Sequence, residues 1–251
     1  MDAATLSVDL SGLVSGKVAP CAPKKGALIA LIGCDGSGKS SLSTDLVKTL
    51  RRTNLATYAY LGLGSGDIGR KIGRLPLVGP VLEKVLTSKA KKTRTKGEKI
   101  PGVMTALVVF GFSLLRFRRF QHMMRARRDG VIVITDRYPQ AEIAGQCDGP
   151  GLSAARAGNA FVAWLARAEY RLYQRMAQTT PDLVIRLDVD AETAHSRKPD
   201  HDIEALRTKI ALTPRLKFNG AALRTVDARQ SYENVRSQTM GLVCDVMRKK
   251  A

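Results

Sequence analysis

What this chain has little of narrows its reading first. Four cysteines occur in 251 residues, Cys21, Cys34, Cys147 and Cys244, and no two stand as CxxC. That spacing excludes a disulfide scaffold or a zinc ribbon, and a reduced chain with incidental cysteines is the expectation. Aromatic residues make up only 5% of the chain, and no DNA- or RNA-binding signature accompanies them, so nucleic acid is not an expected partner. No apolar run reaches the roughly 18 residues of a membrane-crossing helix. The nearest approach is PGVMTALVVFGFSLL at 101–115. Residues 1–26 hold no sustained apolar stretch, and Asp2 stands where a secretory leader carries basic residues. A leader is therefore not expected, and a cytoplasmic location is. Acids are scarce too: 22 Asp and Glu face 41 Lys and Arg, a net charge of +19. Such a balance favours anionic partners, such as nucleotides, anionic lipid or acidic glycan.

The remainder is ordinary globular material. Hydrophobic residues make up 44% and charged residues 25%, enough for a packed core. Residues 1–25, with Pro20 and Pro23, read as a flexible segment ahead of one domain over 26–251. ALIALIG (27–33) is a continuous apolar run, the pattern of a parallel strand covered on both faces. A Gly/Ser-rich turn follows, and then a helical pattern over 40–53 with apolar residues at 42, 46, 47 and 50. Further strands are expected at 57–63, 131–135, 183–189 and 223–228, with helices at 154–178, 191–198 and 230–248. Strands alternating with helices predict an α/β fold, a doubly wound parallel sheet with right-handed crossovers.

Gly33-Cys34-Asp35-Gly36-Ser37-Gly38-Lys39-Ser40 fits GxxxxGK[ST], between an expected strand and an expected helix. Glycines let the backbone curl so that its N–H groups face a phosphate, and the helix adds its positive end. ATP is thus the expected ligand of Gly33, Asp35, Gly36, Ser37, Gly38, Lys39, Ser40 and Ser41, with Lys39 on the β/γ-phosphates and Ser40 on Mg2+. A second candidate is Asp136-Arg137-Tyr138, closing the strand at 131–135. Ligands of open parallel sheets gather beyond the carboxyl ends of the strands. There an Asp can serve a metal and an Arg can fork onto a phosphate.

GCDGSGKSS, the later DRY, and PDLVIRLDV running into a basic helix end resemble the thymidylate kinase family of P-loop nucleoside monophosphate kinases. The resemblance implies a five-stranded sheet of order 2-3-1-4-5, a mobile lid, and transfer of the γ-phosphoryl group of ATP to a nucleotide such as dTMP, with Mg2+. It implies metal positions at Ser40 and Asp136, and acceptor contacts from Asp35, Arg137 and Tyr138. Lys39, Asp136, Arg137 and Arg197 become the candidate catalytic set. A lid over about 195–215 would supply cations from Arg197, Lys198, Arg207 and Lys209; a solvated basic helix face is the plain alternative for these four. Homodimers are common in that family. The family's Arg-Glu-Pro segment after the second strand is missing: here the chain reads TYAYLGLGSGDIG, with no Arg before Arg70. A kinase for another acceptor, a sugar or lipid-linked glycan intermediate at a membrane surface, is therefore the alternative. A nucleotide-binding regulatory protein without fast turnover is the second.

Residues 66–128 hold 16 Lys and Arg against three acids, so this stretch carries +13 of the net +19. It reads as a basic, partly helical insertion. Residues 102–115 would form a helix about 21 Å long, too short to span a bilayer. It reads as a core helix crossing the sheet with its Lys and Arg in solvent; an anionic inner-membrane surface bound through 84–128 is the alternative. The GQCDGPGL loop (145–152) reads as a plain connection, or as a loop closing over the acceptor. Trp164, Tyr170 and Tyr173, at helical spacing, read as core.

Overall fold

The protein is seen in a computed structural model that describes residues 25–62 and 102–250. Readings that fall on 1–24 or 63–101, including Arg70 and most of the basic stretch, lie outside the described residues. Five strands form one sheet: β1 (Leu28–Ile32), β2 (Ala56–Tyr60), β3 (Ile132–Asp136), β4 (Leu183–Asp188) and β5 (Leu223–Asp227). Their order is β2-β3-β1-β4-β5, and every pairing is parallel. This is the expected α/β fold. Every side chain of β1 and β3 is buried, which is why those strands read as continuous apolar runs.

Helices cover both faces. On one side lie α1 (Lys39–Leu50) and α6 (Tyr232–Lys250), packed through Leu42, Leu46, Val235 and Val243. On the other lie α2 (Val103–Arg128) and α3 (Ala160–Ala177), packed through Phe120, Met123, Tyr173 and Met176. Two short helices, α4 (Ala191–Arg197) and α5 (Ile203–Leu212), follow β4 at the carboxyl end of the sheet.

The structure revises three expectations. Helix α2 does not stop at residue 115 but runs through the basic segment to Arg128. The reason is visible in its buried side: Phe112, Arg116, Phe120 and Met123 recur at spacings of three and four, so the arginine-rich half keeps a helical face for the core. Arg116 is not in solvent; its side chain is only 1% exposed. Helix α3 starts at Ala160 rather than 154, because the Asn159 side chain caps it by accepting from the Val162 N–H at 2.9 Å.

At the amino end of the sheet Asp182 ties several parts together. Its carboxylate accepts from the Leu28 N–H at 2.7 Å and pairs with Arg127 at 3.0 Å and Lys250 at 2.8 Å.

Candidate functional site

The carboxyl ends of β1 and β3 deliver the two motifs to one place. Asp136 stands in register with Leu31 on β1 and with Tyr60 on β2. Beyond Ile32 the chain turns through Gly33, Gly36 and Gly38, all at positive φ (147°, 86° and 87°). A Cβ at Gly36 would stand 2.3 Å from the Ala194 carbonyl of α4, so this position has no room for a side chain.

Lys39 opens α1 and is buried in the curl of the loop, donating to the Cys34 carbonyl and, at 3.3 Å, to Ser37 Oγ. Burial lowers its amine to about 8, and Lys209 adds to the shift against the opposing pull of Asp35. Next in sequence, Ser40 Oγ donates to Asp136 Oδ2 at 2.9 Å. The other oxygen of Asp136, Oδ1, is buried and accepts no hydrogen bond. Beside this pair the Tyr58 hydroxyl is pushed well above its usual range, by burial first and then by Asp136.

Arg137 adopts φ +53°, a strained backbone for a residue with a Cβ, and this turn sends its guanidinium back over the phosphate loop. One guanidinium nitrogen donates to Asp35 Oδ1 at 2.7 Å, while Lys209 of α5 donates to Asp35 Oδ2 at 3.0 Å. Burial alone would raise the Asp35 carboxyl, but Lys209, Arg137 and Lys39 outweigh it and hold it far below the usual carboxylate range.

Two contributors were not legible. Asp148, from the GQCDGPGL loop, pairs with Arg116 at 3.0 Å and lies 3.9 Å from Arg137. Arg116 also donates to the Asp148 carbonyl at 2.8 Å and to the Tyr173 hydroxyl at 3.0 Å. Cys147 and Asp148 both sit at positive φ (48° and 64°). The buried Gln140 amide fastens that loop, donating to the Ile143 and Gln146 carbonyls at 2.8 Å each. The loop is therefore more than a plain connection, since it brings a carboxylate into the cleft. The clue in sequence was the crowding of Gly145, Gly149, Pro150 and Gly151, which marks a tight turn presenting whatever it carries.

The candidate residues do not all meet. Gly33, Lys39, Arg137, Tyr138, Cys147, Asp148, Lys209 and Thr213 line one cleft at the end of the sheet. Tyr138 borders it from the core: its hydroxyl donates to the Thr179 carbonyl at 2.7 Å and its ring lies edge-on to Phe120 and Phe218. Of the four cations expected in a lid, Lys209 reaches the phosphate loop. Arg197 instead donates to the Ala228 carbonyl at 2.9 Å, Arg207 pairs with Glu192 and Glu204 on the exposed surface, and Lys198 is exposed at the end of α4. Ser41, the third residue of α1, is also exposed.

Magnesium fits what is present. An orphaned buried carboxylate oxygen beside a hydroxyl is the hard-oxygen donor set that Mg2+ takes, with bound phosphates completing it. Among the described residues no group of three or more His, Cys, Asp and Glu side chains forms a separate metal cage.

A phosphate loop at the first strand, an Asp-Arg pair at the third and a 2-3-1-4-5 parallel sheet define a P-loop ATP-binding protein of kinase type. No family model matches the chain. It is 46% identical over 217 residues to the uncharacterized ATP-binding protein YghR of Escherichia coli K12, covering 86% of each chain. It is 43% identical over 209 residues to YghS of the same organism, covering 83% of this chain and 88% of that one. A probable thymidylate kinase of Pyrobaculum aerophilum is 31% identical over 172 residues, 68% of this chain and 69% of its own. The chain belongs to the P-loop family of the ATP-binding proteins YghR and YghS, to which thymidylate kinases are more distant relatives.

Proposed function

We propose that this protein transfers the γ-phosphoryl group of ATP to a small acceptor held between Arg137, Asp35 and Asp148. The observation that carries this is the Arg137–Asp35–Lys209 chain of contacts, which links the acceptor side of the cleft to the phosphate loop and to α5. A nucleotide-binding loop alone would not need it. The loop N–H groups and Lys39 would cradle the ATP phosphates. Ser40 and Asp136 would hold Mg2+, which neutralises charge across the β- and γ-phosphates when bound. Arg137 would orient the acceptor so that one of its oxygens bonds to the γ-phosphorus as the bridge to the β-phosphate breaks and ADP leaves. Lys209 is placed to compensate charge there. Most of the acceleration would come from positioning and fixed charge.

A nucleoside monophosphate, as in the thymidylate kinases, is the leading acceptor. Asp148 favours a second reading: a carboxylate 3.9 Å from Arg137 opposes a phosphate monoester there and suits a hydroxyl-bearing acceptor such as a sugar. The test is ADP release from Mg-ATP across nucleoside monophosphates, nucleosides and sugars, with Lys39→Ala as control. Acceptor-dependent, Lys39-dependent ADP release is expected. Tight ATP binding without acceptor-stimulated turnover across the panel would overturn phosphotransfer to these acceptors.

A further inference from the structure

Trp164 and Tyr170, expected in the core from their spacing, are exposed in the structure. Trp164, the only tryptophan of the chain, is 55% exposed and stacks on Phe161, itself 47% exposed, with centroids 6.0 Å apart. Both stand in the first half of α3, and Met104, Leu107 and Leu114 are exposed on the neighbouring first half of α2. The two helices lie side by side on one face of the sheet, as the bonds Ser113–Glu169 and Arg116–Tyr173 require. Farther along, both helices expose arginines: Arg118 and Arg125 on α2, and Arg167, Arg171 and Arg175 on α3. Among the described residues none of the five makes an ion pair. Glu169 is the one acidic residue within either helix, and it is buried against Ser113 and the Leu152 N–H. Asp129 follows as the cap of α2.

An exposed two-helix face with aromatic and aliphatic side chains at one end, five unpaired arginines at the other and no exposed carboxylate on either helix has a defined chemical complement. We propose that this face docks on an anionic phospholipid surface, with Trp164, Phe161, Leu107 and Leu114 entering the headgroup region and the arginines on lipid phosphates. Tryptophan favours that interface, having an apolar ring and a polar N–H. A second copy of the chain is a poorer complement: a two-fold contact would cover the apolar end alone, because neither helix offers an exposed carboxylate to receive the arginines. Both helices begin at the carboxyl ends of the strands, so docking sets the cleft beside the headgroups. The proposal does not depend on the identity of the acceptor.

Trp164 makes the test specific to this face. The full-length protein is titrated at low salt with vesicles of phosphatidylcholine, with and without phosphatidylglycerol. The expected result is a blue shift of tryptophan emission and co-flotation with the phosphatidylglycerol vesicles alone, both weakened by salt. The double reversal Arg171→Glu/Arg175→Glu should weaken binding roughly 25-fold or more, at about fivefold per arginine. Phe161→Ser should weaken it while leaving ATP binding unchanged. Two outcomes would overturn the proposal. One is flotation with unshifted emission and no response to the arginine reversals, which places binding elsewhere on the chain. The other is emission already blue-shifted without lipid, with a dimer mass by sedimentation, which gives the face to a second copy.

Discussion

Two glycines of the phosphate loop hold nearly the same backbone and differ in what surrounds them. Gly36 and Gly38 sit at φ 86° and 87°, but an added Cβ meets the Ala194 carbonyl at 2.3 Å at Gly36 and nothing within 4 Å at Gly38. Gly38→Ala carries only the left-handed strain, on the order of 1 kcal/mol. Gly36→Ala must also push α4 away. Thermal unfolding of the two variants should therefore rank Gly36→Ala as the more damaging, with α4 displaced. Lys39 offers a second contrast. Its drop from 10.5 to about 8 corresponds to up to about 3 kcal/mol of destabilisation while the buried amine is charged. That loss is full below pH about 8 and is relieved as pH rises toward 10.5, where the folded state releases the proton before the unfolded one. Lys39→Met should thus stabilise the ligand-free protein at neutral pH, by an amount that shrinks through this window in urea titrations, while ATP binding is lost. Gly38 and Lys39 were evident in sequence, because the loop pattern fixes backbone shape and residue type together at those positions. Asp148 was not, because only the folded turn shows which way a loop carboxylate points.

Helix α2 shows what an element hides from its own sequence. Its apolar half was readable, whereas its basic half looked like a solvated run because arginines outnumber the core residues among them. One of those arginines is structural. Arg116, 1% exposed, meets Asp148, and burial of that carboxyl is outweighed by Arg116, Lys209 and Arg137, which hold it below its ordinary range. Asp148→Asn leaves a buried guanidinium short of its counter-charge and should destabilise the fold by about 3 kcal/mol. Arg116→Met with Asp148→Asn should recover much of that loss, because neither unpaired charge remains; a double-mutant cycle in urea measures the coupling. The sign with pH follows. The contribution of the pair is present above the usual carboxylate range and is lost as pH falls through the lowered value of Asp148, so in acid wild type converges on the Asp148→Asn single variant. Helix α3 was placed early by its apolar spacing. The true start at Asn159 depends on one side-chain cap, a signal that Gly158-Asn159 carried without standing out.

At the scale of the molecule, the central strands were legible because β1 and β3 are buried on both faces, whereas the sheet order came from the family resemblance. The contact of α5 with the phosphate loop was less legible. Among four basic candidates, only three-dimensional placement singles out Lys209, whose contact with Asp35 spans 174 residues of chain. Lys209→Met should loosen Ile203–Leu212 in hydrogen exchange and leave β1 protected. Mg-ATP at a hundredfold excess over its dissociation constant should raise stability by about 2.7 kcal/mol, and Lys39→Ala should abolish that gain.

The Asp182 cluster has a practical side. It anchors Lys250 beneath the amino ends of the strands, while the cleft opens at the opposite end. A handle attached behind residue 250 therefore presents the molecule cleft-outward on a sensor chip or a bead. Immobilised in that orientation, every copy offers the same mouth to passing solutes, which suits the protein to direct screening of immobilised copies against libraries of small phosphate acceptors.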